Sequence, residues 1–235
     1  MDKPLDKREY VNRDKSNVEK GERIRIRPDS KILFIGDSIT DVNRNWMDAE
    51  DLGNGYPMLI ASYLLHKHPT YDLEILNRGV GGDRLVDLKN RWEKDCLDHN
   101  PDIVSILIGI NDIWYAIDSD TEQLDEAALE KFEADYRGLL KSLAHRTDAR
   151  VVLIEPYVLP YPKKRLTWRK HLDPRIHIVR QLANEYHSAL IPLDGILNAL
   201  GIENGYQTYT GDDGVHPTRT GHAAIADAWI KGLDV

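Results

Sequence analysis

The sequence has a single cysteine, Cys96. One thiol cannot close an intramolecular disulfide, and it excludes every Cys-rich zinc module. A chain of 235 residues can bury enough apolar surface to fold without such staples. Long apolar runs are also missing: none approaches the roughly 20 residues that a membrane-crossing helix needs. No apolar core of an export signal stands among residues 1–20 either, which points to a cytoplasmic location. Positive charge is in deficit. Lys and Arg number 31 against 39 Asp and Glu, a net charge of −8 at pH 7, and such a surface repels phosphate backbones. Nucleic acid and membrane are therefore poor partners. No internal repeat and no low-complexity stretch interrupts the chain.

Charge is instead dense at the start, from Asp2, Lys3, Asp6, Lys7, Arg8 and Glu9 on to Glu19 and Lys20. Without apolar periodicity such a segment cannot bury enough surface to order by itself. Residues 1–22 read as a charged N-terminal arm, either solvated or packed on a neighbouring subunit. Residues 23–235 read as one domain.

In that domain, short apolar runs alternate with longer helical patterns. The runs are Lys31–Ile35, Leu73–Asn77, Asp102–Ile108, Arg150–Glu155 and Ala189–Leu193. They are continuously apolar rather than alternating, which suits parallel strands covered on both faces. Between them, Leu85, Leu88, Trp92 and Cys96 recur at helical spacing, as do Leu129, Phe132, Tyr136, Leu139 and Leu143. Tyr56–His66, Arg175–Ser188 and Thr218–Lys231 complete the helical set. The alternation predicts a single three-layer α/β/α domain with a five-stranded parallel sheet, of flavodoxin-like kind. Ligands of such sheets bind outside the carboxyl ends of the strands.

Polar, glycine-rich segments follow three of the runs: Gly36-Asp37-Ser38-Ile39-Thr40, Asn77-Arg78-Gly79-Val80-Gly81-Gly82-Asp83 and Gly109-Ile110-Asn111-Asp112. A fourth, Asp212-Asp213-Gly214-Val215-His216-Pro217, precedes the last helix. Singly, each has an ordinary explanation. Ser38 or Asn111-Asp112 could cap a helix, the glycines could form a plain turn, and His216 could be a loop histidine.

Together they resemble the SGNH (GDSL-type) hydrolase superfamily. Gly36-Asp37-Ser38-Ile39 stands for its serine block with isoleucine in place of leucine. Gly82-Asp83 stands for its glycine block, with Gly79 and Gly81 leaving the register slightly open. Gly109-Ile110-Asn111-Asp112 and Asp213-Gly214-Val215-His216 stand for the asparagine and histidine blocks. The resemblance covers about residues 30–231 and implies the fold already inferred. It also implies a serine esterase with Ser38, Asp213 and His216 as catalytic residues, and Ser38, Gly82 and Asn111 as the oxyanion hole. The chemistry agrees. A serine hydroxyl needs an adjacent base, imidazole titrates near pH ~6.5, and a carboxylate three residues before His216 can fix its tautomer. Asp212 is the second choice for that carboxylate. The nucleophile elbow Gly-x-Ser-x-Gly of α/β-hydrolases is absent, because Thr40 stands two residues after Ser38.

Gly55-Tyr56, Asp87–Trp92, Ser105–Asp112 and Trp114 further resemble the intracellular bacterial acetylxylan and acetyl-xylooligosaccharide esterases of that superfamily. This implies acetylated short sugars as substrates, no metal or organic cofactor, and a possible homo-oligomer. Trp114, Tyr115, Tyr157, Tyr161, Trp168, Tyr206 and Tyr209 could stack on sugar rings or merely pack loops. The Pro-rich stretch Tyr157–Trp168 could shape the pocket or an oligomer contact. Among esterases the alternative is a broad short-chain esterase, thioesterase or lysophospholipase-like enzyme. Outside that class stand a metal-dependent phosphoesterase using Asp37, Asp41, Asp83 and Asp112, and a catalytically silent carbohydrate-binding relative.

Overall fold

In the computed structural model, which describes residues 24–119 and 124–233, the apolar runs form one parallel sheet. Its strands are Lys31–Gly36 (β1), Glu74–Gly79 (β2), Ile103–Leu107 (β3), Arg150–Ile154 (β4) and Ala189–Ile191 (β5). Their order is β2-β1-β3-β4-β5. The chain leaves β1 for one neighbour and returns on its other side, so β1 and β3 border the crevice where a doubly wound sheet binds its ligand. The expected N-terminal arm, residues 1–22, lies outside the described residues.

The α-helices among the described residues are Ser38–Asp41 (α1), Tyr56–Lys67 (α2), Leu85–Asp95 (α3), Asn111–Ser119 (α4), Glu126–Arg146 (α5), Arg169–Glu185 (α6), Leu193–Asn204 (α7) and Arg219–Gly232 (α8). Successive strand residues point to opposite faces, which explains the continuous apolar runs. Ile32 and Phe34 of β1 pack with Tyr56, Ile60 and Leu64 of α2 and Ile225 and Trp229 of α8. Leu33 and Ile35 pack on the other face with Leu85, Leu88 and Trp92 of α3 and Tyr136, Leu139 and Leu143 of α5. Ser105, wholly buried in β3, accepts a 3.1 Å hydrogen bond from Trp229 Nε1. The buried hydroxyl therefore joins sheet to helix at little desolvation cost.

The bounds of four elements differ from expectation. β5 ends at Ile191, and Leu193 opens α7 rather than ending a strand. The helix expected over Arg175–Ser188 starts earlier, at Arg169, and runs through Pro174. It continues from a 3₁₀ turn over Lys163–Trp168, and Arg169 is anchored by two hydrogen bonds to the Asp194 carboxylate. Tertiary contacts thus override the usual breaking effect of proline. Thr218 proves to be the N-cap of α8, its hydroxyl accepting the Gly221 N–H.

Candidate active site

β1 ends at Gly36, where an added Cβ would meet the Leu107 carbonyl at 2.1 Å, so only glycine leaves β1 and β3 paired to their ends. Asp37 then caps α1, its Oδ1 accepting the Ile39 N–H at 3.0 Å. Ser38 is the first residue of that helix, and its hydroxyl reaches the crevice between β1 and β3. The turn is held from behind. Buried Asn77 donates to the carbonyls of Thr40 at 2.7 Å and Leu52 at 2.8 Å, and the Thr40 hydroxyl pairs with Tyr56 OH at 2.9 Å. Arg91 of α3 ties the neighbouring strand ends together. It donates to the Gly36 carbonyl at 3.0 Å, the Arg78 carbonyl at 2.7 Å and the Asp83 carboxylate at 2.6 Å.

Gly82 follows β2 with φ +84°, a conformation that strains other residues, and a Cβ there would lie 3.0 Å from Tyr115 OH. Asn111 opens α4 after β3. One of its amide hydrogens goes to the Asp83 carbonyl at 3.0 Å, which fixes the side chain. An amide has a second hydrogen to give.

His216 comes from the loop before α8. Its Nε2 lies 2.9 Å from Ser38 Oγ, and its Nδ1 lies 2.6 Å from Asp213 Oδ2. The other carboxylate oxygen of Asp213 accepts the backbone N–H groups of Val215 at 2.8 Å and His216 at 2.9 Å. Partial burial pushes the Asp213 carboxyl up, but the hydrogen bonds from the His216 ring and the two N–H groups outweigh it and hold the pKa down at about 2. The same hydrogen bond raises the His216 pKa, against burial of the ring. Asp212 is exposed and is not the residue on Nδ1. All five residues singled out in the sequence therefore meet at one edge of the sheet. A cleft of about 460 Å³ opens there, lined by Ser38, Gly82, Asn111, Trp114, Tyr115, Asp118 and His216. A hydroxyl beside a base, with donors facing it across a cleft, is an arrangement suited to acyl transfer.

The remaining candidates do other work. Trp114 and Tyr115 line the cleft. Tyr157, Trp168 and Tyr209 are buried, Tyr161 OH takes a hydrogen bond from Gln207, and Tyr206 packs on Gly201. The stretch from Tyr157 to Trp168 braces the histidine loop: Tyr157 OH donates to the Val215 carbonyl at 2.6 Å, and the Leu159 N–H donates to that of Gly214 at 2.8 Å. The carboxylates considered for a metal are dispersed. Asp41 accepts the Gly81 N–H, Asp83 pairs with Arg91, and Asp112 accepts the Leu85 N–H at the start of α3. Among the described residues, no group of three or more His, Cys, Asp and Glu is arranged to hold a metal ion. No helix there is long and apolar enough to cross a membrane.

Residues 34–224 match the model of the GDSL-like lipase/acylhydrolase family. The chain belongs to that family. This GDSL-like acylhydrolase is a carboxylic ester hydrolase. It is 31% identical over 214 residues to an acetylxylan esterase of Geobacillus stearothermophilus, covering 89% of this chain and 96% of that one. The crystal structure of the Geobacillus acetylxylan esterase Axe2 superposes with a TM-score of 0.79 at 29% identity, over 92% of this chain and 97% of that one. Structures described as catalytic mutants of Axe2 change an aspartate, a serine or a histidine to alanine. A putative GDSL-like lipase from Parabacteroides merdae is similar too, with a TM-score of 0.81 and 31% identity over 89% of this chain and 98% of that one.

Sequence reasoning missed two residues of this acylhydrolase's site. Asp118, in the cleft lining, accepts the Trp114 Nε1–H at 2.6 Å, an i, i+4 pair on α4 that spacing alone could have suggested. Arg165 touches Asp213 from far off in the sequence, and no local pattern marks it.

Proposed function

We propose that this acylhydrolase removes acetyl groups from small carbohydrates, such as acetylated xylooligosaccharides, through Ser38, His216 and Asp213. The observation that carries the reading is the continuous hydrogen-bonded line from Asp213 Oδ2 through the imidazole to Ser38 Oγ. Asp213 holds the proton on Nδ1, so Nε2 is free to act as base. Ser38 Oγ attacks the ester carbonyl carbon while its proton passes to Nε2. The oxyanion so formed faces the N–H groups of Ser38 and Gly82 and the Asn111 amide. Collapse breaks the bond to the sugar oxygen, which leaves with the proton from Nε2. A water then attacks the acetyl-Ser38 ester with His216 again as base, releasing acetate and restoring Ser38.

The substrate class rests on the cleft and on the likeness to the acetylxylan esterases. Trp114 and Tyr115 offer aromatic surface on which a sugar ring can stack. Asp118 adds a carboxylate to the cleft lining. It can accept hydrogen bonds from sugar hydroxyls. The likeness to the acetylxylan esterases favours this class over the thioesterase and lysophospholipase alternatives.

Two measurements test the reading. A fluorophosphonate probe should label the wild-type protein and not a folded Ser38→Ala variant, whose kcat should fall by about 10⁴–10⁶-fold. For p-nitrophenyl acetate, butyrate and octanoate, kcat/KM should fall about ten- to hundredfold along the series as longer chains overpack the pocket. Acetylated xylobiose should outperform p-nitrophenyl acetate, because remote contacts can be turned to transition-state stabilisation. Normal turnover by Ser38→Ala would remove Ser38 from the mechanism. A flat or rising chain-length trend with no acetate released from the sugar would remove the acetyl-carbohydrate substrate.

A further inference from the structure

Arg165 lies in the 3₁₀ turn Lys163–Trp168 and is 7% exposed. Its Nε donates to the backbone carbonyl of Asp213 at 2.6 Å. Its guanidinium packs against two indoles, 3.8 Å from the ring centre of Trp168 and 4.5 Å from that of Trp114. Trp114 in turn lies 5.8 Å from the His216 ring. The turn is pressed against this segment, since a Cβ on Gly214 would lie 3.2 Å from Arg165 Cγ and 2.2 Å from the Tyr161 carbonyl. Among the described residues no carboxylate pairs directly with Arg165. A cation taken out of water without a salt bridge is costly, so its place against the Asp213–His216 turn calls for a reason.

We propose that Arg165 is a positioning residue for the ester hydrolysis: it straps the Asp213–His216 turn in place through the Asp213 carbonyl and holds a positive charge against Trp114, whose ring neighbours that of His216. The proposal rests on the triad assigned above. The strap acts through the Asp213 carbonyl, because fixing that residue's backbone fixes its carboxylate against Nδ1. The charge acts against Asp213. Asp213 favours the imidazolium, and too strong a bias would leave His216 protonated and useless as a base at neutral pH. The groups that bear on His216 come from every side: Asp213 on its own loop, Asp37 at the end of β1, Arg165 on the 3₁₀ turn and His222 on α8. Asp213 and Asp37 favour its charged form, while Arg165 opposes it. Against its burial, the Arg165 charge is itself favoured by Asp213 first and then by Asp118 of α4.

The test compares Arg165→Met, Arg165→Gln and Arg165→Lys in kcat, KM and the acid limb of the pH profile with p-nitrophenyl acetate. Arg165→Met should lower kcat by about 10²-fold, the scale of a misplaced catalytic group, with KM nearly unchanged. Its acid limb should move to higher pH. Arg165→Lys should keep the limb near the wild-type position, because it keeps the charge. It should recover only part of kcat, because it loses the planar stack and the Nε–H. Wild-type kcat with an unmoved limb in Arg165→Met, or a loss in KM alone, would overturn the proposal. If the methionine variant does not fold, the glutamine and lysine variants decide. A limb at higher pH in Arg165→Gln than in Arg165→Lys supports the charge role, and coincident limbs with wild-type kcat overturn the proposal. The pH dependence of fluorophosphonate labelling of Ser38 separates the two levels of inference. A wild-type protein that does not label breaks the triad itself. A wild type that labels, with the same pH dependence in every Arg165 variant, breaks only the part given to Arg165.

Discussion

Ser38, Gly82 and Asn111 stand directly after β1, β2 and β3, whereas Asp213 and His216 stand in a loop with no strand behind it. The first group is held by sheet register and by buried polar side chains: Asn77 under the Ser38 turn, Arg91 across the strand ends, and the Asp83 carbonyl on Asn111. The second is held by tethers from another loop, namely Tyr157, Leu159 and Arg165. His216 is also more open, its side chain 47% exposed. The difference teaches where stability and rate part company. On the sheet side, the groups that place the chemistry also hold the core, so a substitution should cost both. On the loop side, rate should fall with little loss of stability.

The largest break in that comparison should come from Asp213→Asn. The amide oxygen can still accept the Val215 and His216 N–H groups, so the turn should survive, with a modest fall in melting temperature as the charge that these groups stabilise is lost. The amide nitrogen would then face Nδ1, favour the wrong tautomer and cost about 10⁴-fold in kcat. Asp212→Asn should be nearly silent, as an exposed side chain away from Nδ1. The reverse ranking in p-nitrophenyl acetate turnover would give the orienting role to Asp212.

Asn111→Ala should fall next, and on both axes. Under the proposed role, losing this oxyanion donor costs roughly 10²–10³-fold in kcat with little change in KM, because the contact strengthens as charge develops. The Asp83 carbonyl would also lose its buried partner, at about 1–3 kcal/mol of stability, read as a lower denaturation midpoint. A variant as stable as the wild type would show that Asn111 is not part of the structural support. A variant altered only in KM would make it a substrate contact.

The same division explains what could be read from the sequence. The strands were legible because burial on both faces writes itself as runs such as Ile32-Leu33-Phe34-Ile35. The candidate site is legible where its residues sit next to a strand end or within one turn, as in Gly36-Asp37-Ser38 and Asp213-Gly214-Val215-His216. α7 was missed although Leu193, Ile196, Leu197 and Leu200 keep helical spacing, because Leu193 was absorbed into the preceding run. The true start of α6 is hidden in the sequence, because a proline such as Pro174 ordinarily marks a helix boundary and the contact that overrides it, Arg169 with Asp194, spans 25 residues. Arg165 was invisible for the same reason at longer range: its hydrogen bond to Asp213 spans 48 residues.

The smallest effect is a stability difference that depends on pH, and it belongs to the sheet side. Asp37 is 1% exposed, and its Oδ2 has no hydrogen-bond partner. Burial pushes its carboxyl up to about 7; the Ile39 N–H and nearby His216 pull it down, while Asp112 and Asp83 push it further up. A raised carboxyl keeps its proton in the folded state when the unfolded chain has lost it. Stability is therefore fully present below the unfolded value of 3.8 and is lost as pH rises from there through about 7. Asparagine at this position can still accept the Ile39 N–H and never ionises. Relative to wild type, Asp37→Asn should gain stability steadily between those two pH values and level off above, by a few kcal/mol at most. A thermal melt series across that range reads the slope, which is independent of any constant offset from the amide nitrogen. A flat difference between the two proteins would mean that the Asp37 carboxylate is not opposed by its burial. The sheet side would then hold its nucleophile turn without the electrostatic cost inferred from the structure.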